Sequence, residues 1–353
     1  MENKRIPVKR MEEFIKSAFE SQGARKEHAA VCAQRMVESD LQGMHGHGIF
    51  RLPPYMRRLK EGGYNLDPEI RIIKETGNSA LVDGDNGLGH VVVSFAVDTA
   101  IQKAKENGIA WVGTRNSNHA GAGGSYAVSA LEHDMIGIYM AIGNANHMPP
   151  WGGVDPLLST NPICFAIPTK EEYPVLLDMA TTVVSYGKVK VYAQTGKEMP
   201  EGWMIDRQGK PLTDPKRISE GFLMPIGAHK GYGLNFIIGA LAGVLNSAAF
   251  GKDVINFNED FHSKTNSGQT FIAMRVDLFR EVEEFKKMMD EKIREMKACT
   301  PMNPGQEILL PGEIGYIERP RILKEGVPVS ETLLGQLQEL ARDCGLSDTL
   351  EDL

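Results

Sequence analysis

Residues 43–51 read GMHGHGIFR: His45 and His47 stand one glycine apart, and Arg51 follows His47 by four positions. Three chemistries suit this stretch. In an extended chain, side chains at i and i+2 point to the same side, so the two imidazoles could share a metal ion. A zinc site needs further ligands, and the remaining histidines (His28, His90, His119, His133, His147, His229 and His262) are scattered without ligand spacing. A second reading is a tight glycine turn that happens to carry imidazoles. The third is acid–base work: imidazole moves a proton near neutral pH, and a guanidinium grips a carboxylate through two hydrogen bonds. The residues of this stretch alone leave all three open.

Other stretches offer a ligand site. NHAGAGGSYA (118–127) follows an apolar run and opens a helical pattern. It holds Gly121 and Gly123, but Tyr126 takes the third glycine position, and no acid ends the next apolar run. The ordinary dinucleotide fingerprint is therefore missing, although a glycine loop at a helix start can still hold phosphate through free N–H groups. PPWGGVDPLLSTNP (149–162), LDMATTVVSYGK (177–188) and GAHKGYGL (227–234) are dense in Gly, Pro and polar groups. They read as strand-to-helix turns at one end of a sheet, where α/β folds place their ligands. Asp178 ends an apolar strand, Thr181 and Thr182 can cap the next helix, and His229–Lys230 puts positive charge at a helix start, which suits an anion. No phosphate-binding Gly-x-x-x-x-Gly-Lys loop, His-Glu-x-x-His, Gly-x-Ser-x-Gly or calcium loop occurs.

The elements that must position these residues follow from periodicity. Residues 8–23 and 25–43 are helical and stop at glycines, and a short helix runs from Pro53–Pro54 to Gly62–Gly63. Residues 70–84 form two strands joined by a Gly-Asn turn, and 90–108 form a helix. Strands are expected at 109–113, 136–142, 163–167, 174–179 and 269–276, alternating with helices at 125–134, 182–196, 232–247 and 278–298. The apolar run LNFIIGALAGVL (234–245) is too short to span a bilayer and reads as a buried helix. Residues 330–345 close the chain with a helix. The expected fold class is α/β, a mixed sheet with a helical lobe built from both chain ends: 1–68 joined by 312–353, around a core at 69–311.

The chain has 353 residues, 42% hydrophobic and 24% charged, with a net charge of −7. That composition fits a globular protein with a full core. The acidic balance argues against nucleic-acid or anionic-membrane partners. Cys32, Cys164, Cys299 and Cys344 form no Cys-x-x-Cys, which suits free thiols in a reducing compartment. With no apolar signal region at the N-terminus, a cytoplasmic location is expected.

In order along the chain, GHGIFRLPPY, NSNHAGAGGSYA, PWGGVDPLLSTNPICFAIPT, LDMATTVVSYGKV, EGWMIDRQGKPLTDP and GAHKGYGL closely resemble the malate/L-lactate dehydrogenase family, from about residue 8 to 320. These are NAD(P)-dependent oxidoreductases distinct from the Rossmann-type malate and lactate dehydrogenases. They include ureidoglycolate, sulfolactate, diketogulonate and cyclic imino acid (Δ1-piperideine-2-carboxylate) enzymes. The resemblance implies a non-Rossmann dinucleotide fold, NAD or NADP as cofactor, a small 2-hydroxy or 2-oxo acid substrate and a homodimer. A cyclic 2-imino acid reductase is the alternative within the family; a metal-dependent lyase or hydrolase using His45 and His47 is the alternative outside it.

The family's Ser-His-Gly-x-x-Arg falls on Gly46, His47, Gly48 and Arg51. His47 is then the acid–base residue, Arg51 orients the substrate carboxylate or a cofactor phosphate, and His119 is a second proton-transfer candidate. His119, Ala120, Gly121, Ala122, Gly123, Thr160, Asp178, Met179, Ala180, His229 and Lys230 would line the dinucleotide. NPGQEILLPGE (303–313) resembles the family's C-terminal cofactor segment, which adds Asn303, Gly305, Gln306 and Glu307. Two departures stand out: Gly46 replaces the family serine, and His45 occupies a position often held by Asp. A second imidazole in the pocket would favour a more anionic substrate.

Overall fold

The computed structural model describes residues 4–353, the side chains of residues 194 and 195 excepted. A short strand, β1 (Lys4–Ile6), leads into α1 (Val8–Ser21), α2 (Lys26–Leu41) and α3 (Leu52–Lys60). Met11, Phe14, Ile15, Ala18 and Phe19 recur at helical spacing on α1 and are all buried. Glycines at positive φ, Gly23 and Gly43, follow α1 and α2, where residues with a side chain would be strained. Pro53 and Pro54 sit in the first turn of α3, where their missing N–H groups cost nothing.

The α/β part begins with a hairpin of β2 (Arg71–Glu75) and β3 (Ser79–Asp83). Helix α4 (Gly89–Asn107) then crosses over to β4 (Ile109–Ser117), which runs parallel to β3. After β4 come α5 (Gly124–Ala127), β5 (Met135–Ala141), β6 (Ile163–Ile167), β7 (Val175–Met179) and α6 (Tyr186–Thr195). A small ribbon, β8 (Met204–Asp206) with β9 (Gly221–Leu223), precedes α7 (His229–Ile238), β10 (Ser267–Arg275) and α8 (Val282–Lys297). The chain closes with α9 (Glu313–Glu325), β11 (Val327–Val329) and α10 (Glu331–Cys344). Seven of these strands make the core sheet, in the order β2-β3-β4-β10-β5-β6-β7. All its pairings other than β3 with β4 are antiparallel.

Apolar residues of α1, α2 and α3 share one core with Ile322, Val327, Val329 and the leucines of α10. Strand β1 pairs with β11, which fastens the two ends together. A second core fills the space between α4, α5 and the sheet. The mixed α/β architecture is the one expected from the sequence.

Several details differ from periodicity. The helix expected over 125–134 is one α-turn followed by a 3₁₀ stretch, Val128–His133. α6 begins at Tyr186, capped by the Ser185 hydroxyl, which accepts from the Lys188 N–H. β1, the β8–β9 ribbon and α9 are too short or too irregular in pattern to be read; α9 even contains Pro320.

The run 234–245 is not a buried continuous helix. α7 gives way to a π-turn at Gly239–Gly243, where Gly239 lies against the Phe250 ring and a Cβ would collide. Its outer face leaves Phe236, Ile237, Val244 and Leu245 exposed. Among the described residues, no helix is long and apolar enough to cross a membrane.

Candidate active site

His45–His47 form a 3₁₀ turn directly after α2, and a second 3₁₀ turn, Ile49–Arg51, runs into α3. The loop is held from beneath by Asp40, which is 1% exposed. One Asp40 oxygen pairs with His45 Nδ1 at 2.9 Å, and the other accepts the Ile49 N–H at 2.8 Å. Burial pushes the Asp40 carboxyl up; the hydrogen bonds from His45 and Ile49 pull it back.

Gly48 makes this arrangement possible, since a Cβ there would lie 2.0–2.4 Å from the Asp40 carboxylate atoms. Gly48→Ala is expected to destabilise the fold by about 1–3 kcal/mol, read as a lower denaturant midpoint. An unchanged midpoint would show that the loop is not held this way. Gly46, by contrast, faces open space: a Cβ there would meet nothing within 4 Å.

The extended geometry that a metal-binding pair requires is not formed. His45 turns to Asp40, whereas the His47 ring stacks on His119, with centroids 5.7 Å apart and planes at 17°. Among the described residues, no group of three or more His, Cys, Asp or Glu is placed to hold a metal. His45 is therefore committed to shaping the loop, which takes away the reason to expect a second imidazole contacting the substrate.

His119 follows β4, and its backbone is clamped by the fully buried Asn118. The Asn118 amide donates to Asn86 and Gly87, its side-chain oxygen accepts from Thr265, and its carbonyl accepts from Gln269. Tyr55, in the first turn of α3, places its hydroxyl 2.5 Å from His119 Nδ1. The Gly121 N–H also donates to that nitrogen, at 3.3 Å. The pair has the pattern of a proton-transfer imidazole oriented by a third group.

Tyr55→Phe is expected to lower kcat about tenfold, with the substrate KM within about threefold. A change confined to KM would make Tyr55 a binding contact instead.

Arg51 lies at the same centre, its guanidinium 5.7 Å from the Phe257 ring and 3.4 Å from Asn258 Oδ1. The Arg51 Nε is buried and has no hydrogen-bond partner among the described residues, as expected of a group that receives one from a bound anion. Desolvation and the Arg51 charge lower the His47 pKa. His47 keeps solvent access, and water there screens the Arg51 charge. Burial, then Arg51 and the neighbouring imidazoles, also hold His119 well below 6.5. Both rings are neutral at physiological pH.

The glycine loop meets the end of β7: Asp178 Oδ2 accepts the Gly124 N–H at 2.7 Å. That carboxylate, with the shortness of α5, makes the loop a poor phosphate cradle. His119 to Gly123, with Asp178, Met179 and Ala180, fit an uncharged or cationic part of a dinucleotide better. Thr160 is tied in through its carbonyl, which accepts from both Thr181 N–H and Thr181 Oγ1.

Asn235 of α7 bonds Ser159, Asn161 and Thr181, which fastens the second half of α7 to the same sheet end. His229 and Lys230 open that helix, which has no side-chain cap. Lys230 has no acidic partner among the described residues. Free N–H groups and this cation suit the cofactor's phosphates. Gln306 and Glu307 instead line a separate cavity of about 310 Å³ with Lys297 and Cys299. Asn303 and Gly305 lie in the same turn, where the Gln306 N–H donates to the Asn303 carbonyl. That cavity shares no lining residue with the His47–His119 centre.

Tyr55, Asp40, His90, Phe257 and Asn258 belong to the centre without having been expected from the sequence. Tyr55 was legible as the position four beyond Arg51, on one helical face with it. The other four come from segments with no motif of their own.

Comparison with known proteins identifies the family. The sequence pattern of the family described as malate/L-lactate dehydrogenase matches residues 6–338. A malate dehydrogenase of Pyrococcus horikoshii is 39% identical, covering 97% of this chain and 96% of its own. An L-sulfolactate dehydrogenase of Methanocaldococcus jannaschii is 40% identical, covering 92% and 93%. The solved structure of the Pyrococcus horikoshii enzyme superposes with a TM-score of 0.89 at 36% identity, over 98% of this chain and 97% of that one. The chain belongs to the malate/L-lactate dehydrogenase family, and is an oxidoreductase that passes a hydride between a nicotinamide cofactor and a small 2-hydroxy or 2-oxo acid.

Proposed function

We propose that the reaction runs at the His119–Tyr55–Arg51 centre, on a 2-hydroxy or 2-oxo acid that carries a second anionic group. The observation that carries this reading is the Tyr55 hydroxyl on His119 Nδ1, which fixes the ring and leaves Nε2 for the substrate. A nicotinamide bound beside the glycine loop supplies or takes up the hydride. His119 holds the proton that the substrate oxygen gains or loses. The motif resemblance puts His47 first in this role; the orientation of His119 by Tyr55 favours His119, with His47 as the neighbouring ring that closes the pocket. Arg51 grips the carboxylate next to the reacting carbon. Lys230 and the start of α7 hold the phosphates.

The preference for a second anionic group rests on the malate and sulfolactate activities named for relatives 39–40% identical to this chain. Rates with malate, sulfolactate, lactate and ureidoglycolate, each with NAD and NADP, test it: the first two are expected to be the best substrates, and a clear preference for lactate would overturn it.

The helical lobe (1–68 with 312–353) and the α/β core (69–311) then act as two walls of one cleft. The exposed apolar side chains Phe236, Ile237, Val244 and Leu245 suit burial against a second copy of the chain, a homodimer.

A further inference from the structure

His90 lies outside every motif, yet it sits under this centre. It is the second residue of α4 and is 2% exposed. Its ring stands edge-on to Tyr55, with centroids 5.2 Å apart and planes at 82°. The start of α4 is pressed onto the backbone before the glycine loop, because a Cβ on Gly89 would lie 2.3–2.4 Å from the carbonyl oxygens of Asn118 and His119. His90 Nε2 lies 3.0 Å from the position a Cβ would take on Gly121. That nitrogen is buried and has no hydrogen-bond partner among the described residues. Leaving it unpaired carries a desolvation cost, which an apolar side chain of similar shape would avoid.

The unpaired nitrogen answers a difficulty at His119. Nδ1 of a neutral ring has one lone pair, and both Tyr55 O–H and Gly121 N–H are placed to use it. While Gly121 donates there, the ring proton of His119 must be on Nε2. An Nε2 that already carries hydrogen cannot take a proton from a hydroxy acid. Passing the demand on to Tyr55 would need a buried phenolate, which burial opposes. Gly121, at φ +75° in a loop of small residues, can turn its N–H away at little cost. The acceptor beside it is His90 Nε2.

We propose that His90 is a positioning residue that sets the tautomer of His119: its Nε2 accepts the Gly121 N–H, so that His119 carries its single ring proton on Nδ1, donates it to the Tyr55 oxygen, and presents a bare Nε2 to the substrate hydroxyl. The proposal rests on His119 being the proton-transfer group. His119 holds one ring proton in both arrangements, exchanged through solvent in the cleft, so no other group need change charge. Burial, with Arg35 and His47, lowers the His90 pKa to about 3, which keeps its own ring neutral.

The test compares H90F, which fills the space without a hydrogen-bond group, with H90Q, whose amide reaches the same place. Oxidation of the best 2-hydroxy acid is expected to lose about tenfold in kcat in H90F, with KM within about twofold. H90Q should recover to within about threefold of wild type. Wild-type kcat in H90F, or equal losses in both variants, would overturn the proposal, since either makes His90 a packing residue. If H90F does not fold, H90M takes its place.

A second readout needs no cofactor. In ¹⁵N-histidine spectra of the free protein, H90F should hold His119 in the Nε2–H form alone, whereas wild type should show a share of Nδ1–H. Identical His119 signals would also overturn the proposal. If wild type oxidises no hydroxy acid at all, the proposed function fails, and these spectra still decide the role of His90.

Discussion

His119→Ala is expected to lower kcat by about 10³-fold while the NADH dissociation constant stays within about threefold. The magnitude follows from removing the ring proposed to transfer the proton, which among the described residues is the oriented imidazole of the centre. Tyr55 fixes its rotation, and the Asn118 clamp fixes its backbone. Among the described residues His47 has no such orienting partner in its stack with His119, so His47→Ala should cost closer to tenfold. The reverse order would return the proton to His47.

The pH dependence follows from the same burial. The His119 pKa lies well below 6.5, so the neutral, proton-accepting ring persists as pH falls through 6.5. Oxidation of the hydroxy acid should therefore hold at mildly acidic pH and fail only below it, as the ring finally protonates. An acidic limb at the ordinary histidine value would show that a more exposed imidazole carries the proton.

Arg51→Met is expected to reduce kcat/KM for the oxo acid by about 10²–10³-fold. The guanidinium is already desolvated on one side, with a buried Nε that has no partner among the described residues and Phe257 across its face. A carboxylate bound there gains charge-assisted hydrogen bonds that a thioether cannot replace. Arg51→Lys should recover little of the loss, because a single ammonium cannot form the two-pronged contact. An unchanged KM and kcat in Arg51→Met would move the carboxylate site elsewhere.

Much of this arrangement was legible in the sequence. Helical periodicity located α1, α2, α4 and α10, and the ordered motifs located His47, Arg51, His119 and the glycine loop. What escaped is what depends on contact between distant segments. Asp40 reads as one more polar residue on α2, and only the fold shows it beneath Gly48. His90 reads as a stray histidine until α4 packs against Tyr55.

The exposed face of 234–245 departs from expectation for a related reason: an apolar run signals burial, but only the fold shows which of its side chains face outward. Gly46 keeps its interest. A Cβ there would meet nothing within 4 Å, beside the ring that stacks on His119, at the position where the motif resemblance leads one to expect a serine.

Everything proposed for the site depends on hydride moving between nicotinamide and a small 2-oxo acid with His119 handling the proton. The decisive measurement follows NADH and NADPH absorbance as each is mixed with oxaloacetate, sulfopyruvate, pyruvate and a cyclic imino acid, for wild type and His119→Ala. Wild type is expected to consume one of the reduced dinucleotides fastest with a dicarboxylate or sulfonate, and His119→Ala to consume almost none. Equal consumption by the two proteins would contradict the role given to His119.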